Sequence, residues 1–287
     1  MASSDLQAVK RRIRSVTSME HITNAMKLVS AAKLRRAKTS FEKSNQYLHF
    51  ITDSIAEIFN NTGEVPEKYL EGGREIHNTC YIVITSSRGL CGSFNSNIIK
   101  IAEEEMAKDE NPLLFTIGTR GRDHFAKRGY TICQDVATPP ENFTFLDSQE
   151  LSSPIIEMYD KGEIDKVVLV YTSYLSQLEQ AATKVQLLPF SADLDPEVMK
   201  QNKEVEYEPS VGDVFNYLVP KYMETMLYGA IIESATCEHA ARRMAMENAT
   251  DNAREMLGDL SLYYNRARQA AITNELIEVV SGSEALS

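Results

Sequence analysis

The chain has 287 residues, 43% of them hydrophobic and 25% charged, which is ordinary for a soluble protein of one or two domains. Its net charge is −11, but residues 5–40 hold nine Lys or Arg against two acids, a local +7 that leaves −18 elsewhere. Four scattered cysteines without a CxxC pair, and five histidines never within one helical turn of each other, argue against a disulfide framework or a metal site.

Residues 1–62 are predicted to form one long helix, because they contain no Gly or Pro. Apolar side chains recur there every three or four residues, at Leu6, Val9, Ile13, Val16, Met19, Ile22, Met26 and Val29. The N-terminus is polar and basic, which excludes a secretory signal. Since the helical pattern runs on without a detachable leader, we expect a mature, bacterial, cytosolic chain with reduced thiols.

The middle of the chain, residues 75–192, changes to short β-rich runs that alternate with helices. Strands are predicted at 81–84, 113–117, 166–171 and 184–188, and helices at 95–108, 122–128 and 152–160. This alternation predicts a small, mostly parallel sheet with helices packed on it, a Rossmann-like α/β domain. Residues 193–210, rich in Asp and Glu, are predicted to be an acidic connector.

Residues 211–287 are predicted to carry a second long helix, at 213–281, on the order of 100 Å long at 1.5 Å per residue. Its apolar residues include Met256, Leu260, Tyr263, Leu276 and Val280, and a ladder of small side chains runs through Ala241, Ala245, Ala249 and Ala253. No stretch approaches the roughly 18 apolar residues of a membrane span, so the length favours a coiled coil. Two such helices flanking a compact domain predict an antiparallel coiled coil within one chain. The predicted fold class is therefore α/β with a terminal coiled coil.

The loop between the first predicted strand and its helix invites an enzyme interpretation, because dinucleotide folds place phosphates there. Arg88, Gly89 and Gly92 lie in it, but the motif is only GxxG, without a P-loop Lys or a third Gly. Cys91 is a possible nucleophile, yet no histidine is close to it in sequence. We favour a structural loop, and predict no catalytic residue, cofactor or metal.

The basic stretch of residues 5–40 allows two interpretations. It is either a solvated face or a surface for an acidic protein partner. Nucleic acid is disfavoured, because aromatic stacking residues are absent from the basic stretch and the chain is acidic overall.

Three segments resemble the gamma subunit of the bacterial F-type ATP synthase, the rotating central stalk of that complex. They are residues 12–16 with 22–29 and 33–37, residues 88–92 with Phe94 and Asn95, and residues 267–282, which is close to the C-terminal signature of the family. The chain departs from the family pattern at Ser87, Cys237 and Ser283, and the regulatory cysteine pair of the chloroplast members has no counterpart.

The resemblance implies a non-catalytic rotor that transmits torque between the ion-driven c-ring and the catalytic hexamer of alpha and beta subunits, in one copy per complex, peripheral on the cytoplasmic face of the inner membrane. It implies contacts with the catalytic subunits at Met26, Arg268, Gln269, Thr273 and Glu275, to which the basic residues Arg35 and Arg36 are added. Tyr207 and Glu208 match a segment near epsilon and the c-ring. Two alternatives remain: a nucleotide-dependent α/β enzyme with oligomerisation helices, and a static coiled-coil adaptor.

Overall fold

A computed structural model describes residues 2–62, 66–136, 138–176, 179–190, 208 and 210–284. The chain divides into unit 1, residues 1–30 and 242–287, and unit 2, residues 31–241. The helices are α1 (Ala2–Thr62), α2 (Phe94–Met106), α3 (Thr119–Lys127), α4 (Phe145–Lys161) and α5 (Val211–Glu284). The strands are β1 (Thr79–Ile84), β2 (Leu113–Ile117), β3 (Ile132–Val136), β4 (Lys166–Tyr174) and β5 (Gln180–Leu188). Short 3-10 turns cover Glu67–Tyr69 and Pro140–Asn142.

The sheet of unit 2 has the strand order β3-β2-β1-β4-β5. Strand β1 pairs in parallel with β2 and β4, β3 pairs in parallel with β2, and only β5 is antiparallel to its neighbour. This confirms the predicted mostly parallel sheet. Strand β3 was not predicted, because it is a short edge strand that alternates half-buried and exposed residues and so lacks a hydrophobic run.

The sheet is buried on both faces, as the six fully covered residues of β1 indicate. Because side chains alternate along a strand, Tyr81 and Val83 pack with α2 and α3, while Ile82 and Ile84 face the other way. That second face packs against α4 and against the parts of α1 and α5 in unit 2, through side chains that include Ile51, Ile55, Leu151, Ile155, Phe215, Met223 and Leu227. Unit 2 therefore includes part of each long helix in its core.

Helix α4 begins seven residues earlier than the predicted start at residue 152. Thr144 and Asp147 form a capping box, in which the Thr144 side chain accepts from the Asp147 backbone and the Asp147 carboxylate accepts from the Thr144 backbone. Pro154 lies inside the helix and Gly162 ends it in the left-handed conformation.

In unit 1 the two terminal helices run antiparallel. Thr250 Oγ1 donates to Thr23 Oγ1 over 2.8 Å, and Arg254 Nε donates to Glu20 Oε1 over 3.1 Å. Since the higher number on α5 pairs with the lower number on α1, the chain directions are opposed, which confirms the predicted antiparallel pair. The small residue Ala253 is buried in this pairing.

The seam between the helices only partly follows the predicted apolar stripe. Val16 of that stripe and Thr23 outside it are buried seven residues apart on α1, and Met246 and Thr250 are buried four residues apart on α5, as in a coiled-coil seam. The prediction placed Met19, Ile22 and Val29 on the inner face, yet they are 56%, 57% and 56% exposed. On α5 the predicted apolar positions Met256, Tyr263, Leu276 and Val280 are likewise exposed. The apolar pattern was real, but much of it faces outward.

Candidate functional site

The glycine loop, residues 85–93 between β1 and α2, is held by hydrogen bonds to Asn95 at the start of α2 and to the start of α3. The Asn95 Oδ1 accepts from Ser86 N at 2.9 Å, and its Nδ2 donates to Ser86 Oγ at 2.7 Å. Ser86 Oγ in turn donates to the Arg88 carbonyl at 2.6 Å, and the Ser87 carbonyl accepts from Thr119 Oγ1 of α3 at 3.0 Å. The backbone φ is 64° at Leu90 and 59° at Gly92, and glycine adopts such positive values readily. The loop is thus a tight turn held by both neighbouring helices.

The glycine loop packs against α5. Cys91 and Phe94 form a buried cluster with Cys237 of α5, with Tyr174 at the carboxyl end of β4 and Ala241 at its edge. This position lies beyond the carboxyl ends of β1 and β4, where the strand order reverses and where open α/β sheets bind their ligands. In this chain, α5 side chains occupy that crevice.

Further hydrogen bonds attach α5 to the same strand end. Glu233 Oε1 accepts from Ser173 Oγ at 2.8 Å and from Tyr174 N at 2.7 Å, and Cys237 Sγ lies 3.5 Å from the Thr172 carbonyl oxygen. Burial raises the pKa of Glu233, although these two donors act in the opposite direction. Burial also raises the pKa of the Cys237 thiol. These groups serve the attachment of a helix to the sheet.

Cys91, the possible nucleophile, is 2% exposed. Its sulfur accepts from Asn95 Nδ2 at 3.3 Å and lies 3.8 Å from both Ser86 Oγ and the Arg88 carbonyl oxygen. A thiol with these neighbours is part of the turn. Among the described residues, no group of three or more His, Cys, Asp or Glu is arranged to hold a metal ion.

A cleft of about 810 Å³ opens on the other side of the glycine loop, between α2 and α3. Arg120, Lys127 and Arg128 line it, so its charge is mostly positive. Glu103 partly offsets this charge, because its carboxylate contacts both His124 and Arg128. Gly89 leaves room for Arg120, whose Nη2 would lie 2.8 Å from a Cβ at that position. The cleft presents positive charge to an acidic surface, but the glycine loop beside it lacks the lysine of a phosphate loop.

The residues assigned to the catalytic-subunit contact are mostly exposed. Arg35 and Arg36 are exposed on α1 in unit 2, whereas Met26 is half-buried on α1 in unit 1. On α5, Arg268, Gln269 and Thr273 are exposed, with Thr273 Oγ1 donating to the Gln269 carbonyl at 2.9 Å. Glu275 belongs to α5, but its side chain lies outside the described part. Tyr207 also lies outside the described residues, while Glu208 is exposed.

Unit 1 carries a second feature: exposed apolar side chains on each of its helices. On α1 they include Met19, Ile22, Leu28 and Val29, and on α5 they include Ile272, Leu276, Ile277, Val279 and Val280, all between 49% and 66% exposed. We call these residues the unit 1 apolar surface. Exposed apolar residues that cluster along a helix mark interaction sites rather than a protein's own core.

A cluster that the sequence did not indicate lies where α1, α5 and the turn after β3 meet in unit 2. Lys33 Nζ donates to both carboxylate oxygens of Glu141 at 2.8 Å, and His239 Nε2 lies 3.0 Å from Glu141 Oε2. These three residues, hereafter the Glu141 lock, border a cavity of about 180 Å³. They are 108 and 98 positions apart in the chain, and no local pattern connects them.

Comparison with known proteins identifies the family of the chain. Residues 5–286 match the family model described as ATP synthase. The chain is 43% identical over 285 residues to the ATP synthase gamma chain of Alkaliphilus metalliredigens, covering 98% of each chain. It is 39% identical over 302 residues to a sodium ion specific ATP synthase gamma chain of Acetobacterium woodii, covering 99% of this chain and 100% of the relative.

Solved structures give the same fold. A chain of the Euglena gracilis mitochondrial ATP synthase, from its OSCP/F1/c-ring assembly, superposes with a TM-score of 0.75 at 18% identity, covering 99% of this chain and 95% of the other. A chain of the Tetrahymena thermophila mitochondrial ATP synthase central stalk and c-ring gives a TM-score of 0.61 at 21% identity, covering 79% and 99%. At these identities the likeness concerns the fold alone. Within the described ranges no helix has an apolar stretch long enough to traverse a bilayer.

Proposed function

The chain belongs to the family of ATP synthase gamma chains, and from this membership we propose that it is the non-catalytic rotor of an F-type ATP synthase. In that role it transmits torque between an ion-driven c-ring and a catalytic hexamer of alpha and beta subunits, during ATP synthesis or hydrolysis. One copy serves each complex.

The unit 1 apolar surface is the observation that carries this proposal. The side chains of Ile22 on α1 and of Leu276 and Val280 on α5 are 57%, 61% and 58% exposed in the chain alone. Exposed apolar side chains along a helix are suited to turning inside a close-fitting sleeve, since apolar contacts are not directional and do not fix one orientation. We assign alpha and beta subunits as that sleeve.

The proposal that the chain itself is non-catalytic rests on the crevice at the strand ends. Catalysis or nucleotide binding in an α/β sheet uses that crevice, and here Cys237 and Ala241 of α5 pack into it against the glycine loop. The glycine loop also lacks the lysine of a phosphate loop. Both facts favour a sheet that serves to hold helices.

For the remaining partners, we assign unit 2 and the acidic segment around Glu208 to contacts with epsilon and the c-ring, and the exposed residues Arg35, Arg36, Arg268 and Gln269 to contacts with the catalytic subunits. The chain is then peripheral, on the cytoplasmic face of the inner membrane. Nucleic acid has no part in this account. The gamma chain of Acetobacterium woodii is named sodium ion specific, and we leave the coupling ion of this complex to the subunits that bind it.

Reconstitution with purified alpha and beta subunits tests the proposal. The chain should enter a stable complex in substoichiometric amount and raise its ATPase rate. A variant with Ile22→Gln, Leu276→Gln and Val280→Gln should assemble poorly. Leu146→Gln, at a residue 68% exposed on α4 in unit 2, is the matched control and should assemble normally. A wild-type chain that stays separate from both subunits, or that hydrolyses ATP alone, would refute the assignment.

A further inference from the structure

The Glu141 lock joins three elements of unit 2. Glu141 lies in the turn Pro140–Asn142 that follows β3, Lys33 lies on α1, and His239 lies on α5. Both carboxylate oxygens of Glu141 accept from Lys33 Nζ at 2.8 Å, and Oε2 lies 3.0 Å from His239 Nε2. A single side chain thus holds both long helices to the sheet domain.

The contacts differ in burial. The side chain of His239 is 4% exposed and that of Glu141 is 25% exposed, whereas that of Lys33 is 39% exposed. Water and salt screen exposed ion pairs, which contribute little to stability, so the Lys33 contact alone is weak. The buried imidazole against the same carboxylate adds a contact that water does not easily replace.

The local charges favour an ionised Glu141. Burial acts to raise its pKa, but the hydrogen bond from Lys33 and the electrostatic contributions of His239, Lys33 and Arg88 outweigh burial, and the net pKa is lowered. Arg36 adds a further cation at the edge of the adjacent cavity. The carboxylate is therefore anionic at neutral pH and lies beside cationic groups from α1 and the glycine loop.

The Glu141 lock lies at the end of unit 2 where both long helices pass into unit 1. Unit 2 spans residues 31–241, so Lys33 is its third residue and His239 its third from last. On α1 the apolar contact with the sheet domain is centred on Ile51 and Ile55, about five turns further along the helix at 3.6 residues per turn. The Phe41 ring meets Tyr174 at 6.4 Å between these points. The lock is the described contact that holds α1 nearest to the point where it passes into unit 1.

We propose that Glu141 is a positioning residue that fixes α1 and α5 to the sheet domain at the last turn before both helices leave unit 2, so that torque passes into the helix pair without slippage. This inference rests on the proposed rotor function. It assigns the coupling role to a polar contact, whereas the apolar core supplies the stability of unit 2.

Glu141→Gln tests the proposal, because it keeps the shape and removes the charge. Glu157→Gln is the matched control, since it breaks an ion pair of similar length, Lys161 Nζ to Glu157 Oε1 at 2.7 Å, that lies within α4 alone. Glu141→Asp, which keeps the carboxylate on a side chain one methylene shorter, serves as the rescue variant. Each is placed in the full chain and reconstituted into the membrane-bound complex.

Two quantities are measured: amide hydrogen exchange in residues 31–40 and 232–241, and the number of ions pumped per ATP hydrolysed. Glu141→Gln should fold and assemble, exchange several-fold faster in both segments, and pump fewer ions per ATP. Glu141→Asp should keep much of the pumping ratio, and Glu157→Gln should match the wild type. If Glu141→Gln does not fold, Glu141→Asp decides alone.

Three outcomes would overturn the inference. Glu141→Gln could match Glu157→Gln in both quantities, it could exchange faster while pumping normally, or a folded Glu141→Asp variant could pump no better than Glu141→Gln. The first two show that the lock is not needed for coupling, and the third shows that the carboxylate charge is not its basis. A wild-type chain that does not support coupled hydrolysis would instead refute the rotor function itself.

Discussion

At the scale of single residues, Arg35 and Arg36 separate folding from assembly. Both are exposed on α1, as expected for a basic stretch that includes a solvated face. Changing both to Gln should alter the free energy of unfolding of the isolated chain by no more than about 1 kcal/mol, because exposed charges contribute little. If they face acidic catalytic subunits, assembly should weaken most at low salt, where screening is least.

Thermal melting and reconstitution titrations at two salt concentrations measure this. Wild-type assembly at every salt concentration would mean that these arginines form only a solvated face. A melting temperature lowered by many degrees would instead show that they belong to the fold.

Glu233 allows a pH prediction at the same scale. Burial raises the pKa of its carboxyl above the ordinary value, so the native state favours the protonated form. The stability from this group is therefore full below the ordinary pKa and is lost as pH rises through the raised pKa of the folded chain. Ser173 and Tyr174 both donate to Oε1, which Glu233→Gln retains.

Glu233→Gln should accordingly flatten the fall in stability between mildly acidic and neutral pH, and leave the variant at least as stable as the wild type at pH 7. Urea unfolding across this range is the measurement. Glu157→Gln, on the surface of α4, is the control. A variant much less stable than the wild type at pH 7 would mean that the ionised carboxylate is required.

At the scale of elements, the antiparallel pair of unit 1 predicts a specific disulfide. Thr23 Oγ1 and Thr250 Oγ1 are 2.8 Å apart, so cysteines at these positions should meet the geometry of a disulfide, which needs Cα atoms within about 7 Å. In a Cys133→Ser background, Thr23→Cys with Thr250→Cys should oxidise to a monomer with altered mobility. Ile22→Cys with Thr250→Cys should not, because Ile22 faces outward. Disulfide-linked dimers as the main product would contradict the hairpin.

The glycine loop gives a second prediction at this scale. Because α5 fills the crevice beside the loop and no phosphate-loop lysine is present, the isolated chain should bind neither ATP nor NAD with useful affinity. Calorimetry with each nucleotide is the measurement. Micromolar binding that disappears in Gly92→Val would contradict it, with Gly162→Val, also at positive φ but at the end of α4, as the control for general destabilisation.

These elements also show what the sequence could predict. The long helices followed from apolar periodicity, with residues 1–62 also free of Gly and Pro, and the parallel strands followed from β-rich runs, because these signals are local. The antiparallel pairing followed from two long helices that flank one compact domain. The seam was misassigned, since Ile22 and Val29 look like core residues while Thr23 and Ser30 are the ones covered. Helical periodicity indicates that a side chain is covered, but it does not distinguish cover by the same chain from cover by a partner. The Glu141 lock was not predictable, because contacts between residues 33, 141 and 239 depend on the finished fold.

At the scale of the whole molecule, the central claim is that this chain turns inside a fixed hexamer. Cys133 offers a label site, as it is the one exposed cysteine of the four and lies on β3 in unit 2. A probe attached there reports the motion of unit 2 when alpha and beta subunits are fixed to a surface. Each of the predictions above can fail without deciding whether the chain rotates.

The most direct measurement is therefore single-molecule observation of a probe on Cys133 in the immobilised complex while ATP is added. The account predicts continued rotation in one direction that needs ATP and stops when the chain is crosslinked to a catalytic subunit. A complex that hydrolyses ATP at full rate while the probe shows only random fluctuation would contradict it.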